Sequence, residues 1–387
     1  MFMKKFLIKF FLLSFFWLNL TFASESKNQS LRIAAILPLT GDYQEIGKKI
    51  LKTFELTIFE LSNADITLLP FDNQGTKSGT KFSFQELQNH KVDIVLGPIF
   101  MENLLSISNE ENFSKYIFIS LSNNNITLPK NVISFGINID SQLLAIKSIL
   151  NEKKTKIFFS DNSLFSKLVL KKIEDLKTPI SAKYHYSDFN EINEKSKIAT
   201  SYYYRNKKLK DLISETKKSN SPQDLEKLKV LEKLDTIGGV NYQQVIIPAF
   251  DDDLISIVSF FDYHDVNYKD ATFITLNQWF NKKILNEPSL QNIIFPSINY
   301  TNFKDLNSKL LKYYNLEISN LEILAYDTIP LLASIWFNKK EGVFAIEDFI
   351  GKEFRGKSGI FKINSLNFAE RNLDLYQVKN KEFVKIN

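Results

Sequence analysis

The sequence contains no cysteine among its 387 residues. Disulfides, thiolate metal sites, a cysteine nucleophile and a lipid-modified N-terminal cysteine are therefore excluded. Histidine is also scarce, because the only three are His90, His185 and His264. They lie in separate segments without a second ligand at metal-binding spacing, and no G-x-S-x-G, H-E-x-x-H or G-x-G-x-x-G motif is present. We therefore predict a protein that is not an enzyme and that holds no metal and no cofactor.

Long hydrophobic runs are absent after the N-terminus. At the N-terminus, lysines precede an apolar run over residues 10–20, and Thr21 and Ala23 place small residues three and one positions before a cleavage point. This layout is typical of a secretory signal peptide. We predict a signal peptide over residues 1–23, a periplasmic location and no transmembrane span after cleavage. An uncleaved N-terminal anchor is the alternative.

A strong charge of either sign is also missing. The 49 lysines and arginines exceed the 44 acidic residues only slightly, and the excess is spread along the chain without a basic stripe. This distribution argues against nucleic-acid binding. The length exceeds what one hydrophobic core normally organises, so we expect two domains.

Apolar runs of strand length alternate with segments of helical periodicity along most of the chain. Buried strands that alternate with helices of this kind are typical of a parallel sheet covered on both faces. The fold class we predict is α/β, with two doubly wound Rossmann-like lobes joined by a multi-strand hinge. The strand-like runs lie at residues 31–39, 66–73, 92–99, 116–122, 155–161, 181–187, 242–250 and 270–279, with 292–298 as the last.

The domain prediction follows from where this alternation restarts, after residue 138. We assign residues 30–138 and 299–350 to the N-terminal lobe, and residues 139–298 and 351–387 to the second lobe. Ligands in such folds bind outside the carboxyl ends of the strands, so two facing lobes share a cleft.

Residues 189–240 interrupt the alternation. They are polar and rich in lysine and glutamate, with leucines at helical spacing on both sides of Ser221-Pro222. We predict an inserted pair of helices with a solvated outer face. A surface that docks a partner is the alternative.

The stretch GKEFRGKSG, residues 351–359, fits the G-x-x-x-x-G-K-[ST] pattern of a phosphate-binding loop. A true phosphate loop follows a strand and opens a helix, whereas this stretch precedes the strand-like run GIFKI. Glu353 would also repel a phosphate. We therefore predict a turn at the start of a hairpin.

The acidic run Asp251-Asp252-Asp253 follows a strand-like run and opens a helical segment. Carboxylates at a helix start cap it and match the helix dipole, so we predict capping and first-turn positions. A cation site is the alternative.

Several stretches resemble a known family. LRIAAILPLTGDYQEIGKKILKTFEL, from residue 31, resembles the opening of type I periplasmic binding proteins of the leucine/isoleucine/valine-binding class, with Gly41 in the cleft loop and Gly47 in the helix. VDIVLGPIF, residues 92–100, is similar to the third strand and following turn of that family. The resemblance implies two lobes that close over a ligand.

Other stretches are more similar to one branch, the penicillin-binding protein activators, also described as leucine-binding-domain proteins. They are the segments 118–142, 234–279, LAYDTIPLLASI at 324–335 and FRGKSGIFKINSLNFAERNLDLYQV at 354–378. The last resembles the F-x-G-x-x-G-x-F hairpin of that branch. The branch implies an accessory role in peptidoglycan synthesis, although its usual lipid-modified cysteine is missing here.

The amino-acid-binding members of the family hold the ligand carboxylate with a Ser or Thr hydroxyl after the G-P turn and with an A-x-T turn after the fourth strand. Here these places read Phe100-Met101-Glu102-Asn103 and Ser122-Asn123-Asn124. A buried Glu102 would repel a carboxylate. Amino-acid binding is therefore not the first expectation.

The resemblance implies a non-enzymatic accessory protein of cell-envelope synthesis, with a peptidoglycan synthase as its partner. The alternative is the solute-binding receptor of an ABC transporter, which delivers an amino acid or another small polar ligand to a permease. A structural envelope protein without a ligand is the third possibility. The cleft residues we predict lie at strand carboxyl ends: Thr40, Gly41, Tyr43, Pro98, Phe100, Ser122, Asn123, Asn124, Phe250, Asp251, Gln278 and Trp279.

Overall fold

The computed structural model describes residues 30–62, 64–123, 127–150, 152–219, 221–276, 280–339 and 342–386. The predicted signal peptide lies outside these residues. Within them, no helix is both long and apolar enough to cross a membrane.

The first half of the chain forms a five-stranded parallel sheet in the order β2-β1-β3-β4-β5. Its strands are β1 (Leu31–Leu37), β2 (Ile66–Asp72), β3 (Ile94–Leu96), β4 (Phe118–Ser120) and β5 (Val132–Ser134). The helices between them are α1 (Gln44–Glu60), α2 (Lys77–Leu87) and α3 (Met101–Leu105). Helices cover both faces of this sheet, which is the predicted doubly wound arrangement.

The packing of strand β1 explains why its sequence is a continuous apolar run. Its alternate residues Ile33, Ala35 and Leu37 enter one core, which also contains Phe54 of α1. Ala34 and Ile36 point to the other face and enter a second core with residues of α2 and α3. Because both faces of the strand are buried, no position along it favours a polar side chain.

The second lobe begins with α4 (Ile139–Leu150) and contains a mixed sheet. Five of its strands are parallel: β6 (Lys156–Asp161), β7 (Ala182–Tyr186), β8 (Gln244–Ile247), β9 (Thr272–Thr275) and β10 (Ile294–Ser297). The helices of this lobe that follow α4 are α5 (Leu164–Asp175), α6 (Phe189–Ala199), α7 (Tyr202–Thr216), α8 (Pro222–Leu231), α9 (Asp251–Tyr263), α10 (Lys282–Asn286) and α11 (Tyr300–Tyr314), and α12 (Asn320–Phe337) returns to the core of the first lobe. Residues of the sheet again alternate between two cores, so this lobe is also doubly wound.

The last part of the chain completes both lobes. Strands β11 (Glu353–Gly356), β12 (Gly359–Ile363) and β13 (Ala369–Arg371) form a small antiparallel sheet. Strands β14 (Asp374–Lys379) and β15 (Glu382–Lys385) add to the second sheet, whose order is β15-β14-β10-β9-β8-β6-β7. The chain passes between the lobes three times, after β5, after α11 and after β13, and these crossings form the hinge.

The packing places two segments differently from the predicted boundaries. Helix α11 lies within residues 299–350, yet it buries Phe303, Leu306 and Leu310 in the core of the second lobe. Conversely, the small sheet lies within residues 351–387, but Phe361 and Ala369 pack in the first-lobe core. An amphipathic helix or strand shows in sequence which face it buries, but not which of two similar lobes receives that face.

The helical insertion is also shorter than predicted. Helix α6 buries Ile192 and Ala199 in the core of the second lobe, as an ordinary crossover helix does. The added element is the hairpin formed by α7 and α8, residues 202–231, which we call the helical hairpin. Buried Arg205 anchors it, donating hydrogen bonds of 2.9–3.0 Å to the carbonyls of Gly238, His264 and Asp265.

Candidate functional site

An open cavity of about 530 Å³ lies between the two lobes, beside the carboxyl ends of β4, β8 and β9. The first lobe contributes Asn123, which follows β4, and the second lobe contributes the remaining lining residues. They are Phe250, Asp251, Phe280, Asn281, Lys282, Phe303, Asn307, Glu317, Ile318 and Ser319. The cavity therefore contains Asn123, Phe250 and Asp251 from the predicted set.

The first lobe presents an aromatic pair at its strand ends. The rings of Tyr43 and Phe100 meet edge to face with centroids 4.6 Å apart. Tyr43 also rests on the backbone of Gly75, where a Cβ atom would lie 2.6 Å from the tyrosine ring. Although Tyr43 is 45% exposed, contacts on two sides hold its ring in place. An exposed ring held in this way can receive a ligand at little entropic cost.

The loop after β1 is held by Asp72 at the end of β2. This carboxylate accepts hydrogen bonds from the backbone amides of Leu39, Thr40 and Gln74 at 2.8–3.2 Å, and from the Thr40 hydroxyl at 2.6 Å. Partial burial acts to raise the pKa of Asp72, but these hydrogen bonds outweigh it and the pKa is lowered. The Thr40 hydroxyl is therefore engaged within the protein. Gly41, next to it, is exposed and has a positive φ of 80°.

Pro98 and Ser122 shape the loops behind the cleft wall. Pro98 is buried, and its carbonyl accepts a hydrogen bond of 2.7 Å from the Ser120 hydroxyl. The carbonyl of half-buried Ser122 accepts a 2.8 Å hydrogen bond from the Ser134 hydroxyl. Pro98 consequently supports the wall and does not form its surface.

Glu102 does not lie in the environment we expected. Its side chain is 78% exposed and faces Lys77, with 3.7 Å between the charged atoms. Water and the lysine both screen this carboxylate, so it contributes little repulsion to the cleft. Glu102 therefore gives no argument against an amino-acid ligand.

The second lobe presents Phe250 and Asp251 at the end of β8. Phe250 is 42% exposed, and its ring lies 5.2 Å from that of Phe165. The acidic run occupies the first turn of α9 as predicted, but its predicted capping position is wrong. The N-cap residue is Phe250, which makes no side-chain capping bond.

The three acids of this run have different surroundings. Asp252 faces Lys283 at 3.6 Å, and Asp253 accepts a hydrogen bond of 3.3 Å from the Tyr186 hydroxyl. Asp251 is exposed and has no hydrogen-bond or ion-pair partner among the described residues. It therefore offers a free carboxylate to the cavity.

Phe280 belongs to an aromatic cluster beside the cavity. Its ring centroid lies 4.6–5.2 Å from those of Tyr300, Phe303, Tyr376 and Phe383. At the rim, Lys282 and Glu317 form an ion pair of 3.0 Å. The cavity thus combines an aromatic wall with a polar edge.

Sequence analysis missed most of the lining. Phe280 and Lys282 follow the predicted β9 region directly, and the rule of strand ends would have included them. Phe303, Asn307 and Glu317 come from α11 and the crossing after it, which we assigned to the other lobe. The predicted residues Asn124, Gln278 and Trp279 lie outside the described part of the chain.

The phosphate-loop pattern lies at the hinge and receives a carboxylate of the protein itself. The amides of Lys357 and Ser358 donate to Asp327 at 2.6 and 2.8 Å, and the Ser358 hydroxyl donates at 2.5 Å. A Cβ atom on Gly356 would lie 2.3 Å from the Asp327 carboxyl carbon. Lys357 and Ser358 form the turn of the β11–β12 hairpin, but Glu353–Gly356, which we predicted as part of a turn, form strand β11 itself.

No protein-family model and no curated protein matches the sequence of the chain. Solved structures do share its fold. The branched-chain amino acid transporter substrate binding protein LivJ from Streptococcus pneumoniae str. Canada MDR_19A, in complex with isoleucine, is 16% identical. The alignment covers 92% of this chain and 100% of LivJ with a TM-score of 0.60.

Two further solved structures share this fold. An ABC-type branched-chain amino acid transporter from Rhodopseudomonas palustris CGA009 is 13% identical, with 92% of this chain and 95% of that chain covered and a TM-score of 0.68. Full-length LpoA from Haemophilus influenzae is 14% identical, with 92% of this chain but 59% of LpoA covered and a TM-score of 0.59. The chain has the fold of the type I periplasmic binding proteins of the leucine/isoleucine/valine-binding class.

Proposed function

We propose that this protein is a non-enzymatic, exported binding protein that takes a small ligand in the cleft between its lobes. The observation that supports this function best is the cavity of about 530 Å³, which both lobes line. Its volume lies in the range of about 300–1,000 Å³ that is common for small-molecule sites. The exposed rings of Tyr43 and Phe250 lie at the strand ends of the two lobes, where ligands bind in such folds.

Binding would act through lobe closure. A ligand that contacts both walls has more contacts in a closed form than in an open form, so it shifts the population toward closure. The three crossings between the lobes are the places where backbone rotation would occur. Delivery of the ligand to a membrane permease would follow from recognition of the closed form.

Two proteins that share this fold were solved with small organic ligands, and this supports the proposal. LivJ was solved with isoleucine, and an ABC transporter solute binding protein from R. palustris was solved with benzoate. These ligands differ in shape and chemistry, so the fold alone does not select one. For this chain we propose a small organic ligand held by residues at the strand ends, with Tyr43, Asn123, Phe250 and Asp251 contacting it.

Thermal unfolding of the purified protein tests the proposal. The protein is first unfolded, separated from co-purified ligand and refolded, and then heated with amino acids, amines, aromatic acids, peptides and muropeptides in turn. A true ligand at 100 times its Kd adds about 2.7 kcal/mol, which raises the Tm by a few degrees.

Two phenylalanine variants give this experiment its control. Phe250→Ala removes a cleft ring, so we expect it to abolish the shift in Tm. Phe82→Ala removes a ring on α2 that is 67% exposed outside the cavity, so we expect it to leave the shift unchanged. A panel in which no compound raises the Tm would contradict ligand binding in the cleft.

A second candidate function is supported by the helical hairpin. This element exposes four large apolar side chains, Tyr203, Tyr204, Leu225 and Val230, each more than half exposed. Tyrosine is enriched in protein interfaces, where it supplies contact area at low entropic cost. Together with the sequence resemblance to penicillin-binding protein activators and the fold likeness to LpoA, this surface supports an accessory role that acts through a peptidoglycan synthase.

Affinity measurements with a purified peptidoglycan synthase separate the two functions. In the accessory role, Tyr204→Ser combined with Leu225→Ser would weaken binding of the synthase, whereas Phe250→Ala would not. Equal affinity of the hairpin variant and the unmodified protein would contradict docking through this element.

A further inference from the structure

We infer that the cleft ligand is an organic cation, that is, an amine with an apolar or aromatic body. This inference rests on the proposed function, since it names the chemical class that the same cavity would take. The observations are the charges that face the cleft, the polar groups that are already engaged, and the exposed rings.

The carboxylates at the strand ends divide into engaged and free groups. Asp72 accepts four hydrogen bonds from its own loops. Asp161, at the end of β6, accepts hydrogen bonds from the Ser163 amide at 3.3 Å and the Ser163 hydroxyl at 2.7 Å. Asp251 has no partner among the described residues and lines the cavity. One carboxylate is therefore available to a ligand.

Three donors near the strand ends that could hold an anion are engaged within the protein. The hydroxyls of Thr40 and Ser120 donate to Asp72 and to the Pro98 carbonyl. Lys282, the only cationic side chain among the described lining residues, pairs with Glu317. The described lining therefore has a net negative charge, which favours a cation and repels a carboxylate.

The rings around Asp251 suit the same class of ligand. Phe250 adjoins Asp251 in the chain, is 42% exposed, and is supported from behind by Phe165. An ammonium group over the face of an aromatic ring is attracted by the ring quadrupole, and this combination recognises organic ammonium ligands in other proteins. Phe280 and Phe303 offer an apolar surface for the body of the ligand.

The opposite lobe offers an acceptor as well. Asn123 is exposed and faces the cavity from the end of β4. Its amide oxygen can accept a hydrogen bond from an ammonium group, whereas a quaternary ammonium could not donate one. We therefore expect a primary or secondary amine, bound between Asp251 on one lobe and Asn123 on the other.

Calorimetric titration with two probes of equal size tests the inference. Benzylamine is a cation at neutral pH, and benzoate carries the same ring with the opposite charge. We expect benzylamine to bind the purified protein about tenfold more tightly than benzoate, or better. Tighter binding of benzoate would overturn the inference.

Two aspartate variants on adjacent positions locate the effect. Asp251→Asn should weaken benzylamine binding about tenfold and leave benzoate unchanged or tighter. Asp252→Asn removes a carboxylate that faces Lys283 and does not line the cavity, so both affinities should stay the same. Equal affinity of Asp251→Asn and the unmodified protein for benzylamine would overturn the inference.

These experiments distinguish a failure of the organic-cation inference from a failure of the proposed ligand binding in the cleft. If neither probe nor any other amine of the panel binds, but a compound without a positive charge raises the Tm in a way that Phe250→Ala abolishes, the organic cation is wrong and cleft binding stands. If no compound of the whole panel, amines included, raises the Tm, both proposals fail.

Discussion

The hinge and the cleft use similar residues in opposite ways. At the hinge, donors of the stretch Gly356 to Ser358, which resembles a phosphate loop, are directed at the buried carboxylate of Asp327. In the cleft, the ring of Phe250 is exposed and the carboxylate of Asp251 has no partner among the described residues. A motif identifies a binding site only when its polar groups remain available, and that availability is a property of the fold.

The buried charge opposite Asp327 belongs to Arg371. Its guanidinium lies 4.4 Å from the Phe135 ring and 5.1 Å from the Phe361 ring, and it donates to the Gly136 carbonyl at 3.1 Å. Burial lowers the pKa of Arg371 to about 10, so the group stays protonated at neutral pH. Burial raises the pKa of Asp327, which its hydrogen bonds from Ser358 and Lys357 oppose. A buried polar network therefore connects the β11–β12 turn and α12 with Gly136 and Arg371, which adjoin the crossings after β5 and β13.

The largest change in stability that we predict comes from a substitution in the polar network around Asp327. Asp327→Ala removes the carboxylate that accepts two backbone amides and a hydroxyl, and it leaves Arg371 without its nearest buried counter-charge. A buried donor left without its acceptor costs about 1–3 kcal/mol, and three donors lose their acceptor here. The free energy of unfolding in urea measures the change.

Asp305→Ala is the matched control, because both aspartates contact Lys357. Asp305 accepts from the Lys357 ammonium at 2.5 Å but is 51% exposed, so its loss should cost no more than about 1 kcal/mol and less in high salt. Equal destabilisation by the two substitutions would show that the hinge network does not stabilise the protein in the way described.

A smaller loss of stability is expected when one methyl group is added beside Asp327. In Gly356→Ala the new Cβ would lie 2.3 Å from the Asp327 carboxyl carbon, so the network must shift. Overpacking of this kind costs about 1–3 kcal/mol. Gly239→Ala is the control, since nothing lies within 4 Å of a Cβ there. Urea unfolding should separate the two variants, and a neutral Gly356→Ala would contradict the close packing.

Much of the fold could be predicted because buried parallel strands impose a local pattern. The apolar run of β1 serves two cores at once, and this requirement is visible residue by residue. Strand β11 was missed because Glu353 and Arg355 alternate outward on an edge strand, which reads as a charged turn.

The candidate site could be predicted only in part. Three residues selected by the rule that ligands lie at strand ends, Asn123, Phe250 and Asp251, line the cavity, and their contact with a ligand stays a prediction. It could not show that Thr40 is engaged by Asp72 or that Pro98 is buried, because those facts depend on contacts between distant segments. The contribution of Phe303 from α11 required the three-dimensional packing of the second lobe.

Hydrogen exchange of the protein with and without the most stabilising panel compound tests the central claim most directly. The account predicts slower amide exchange at the strand ends of both lobes, in residues 39–43, 98–103, 250–254 and 280–284. It predicts no change in the helical hairpin, residues 202–231. Protection confined to the helical hairpin, or no protection at the strand ends, would contradict ligand binding in the cleft.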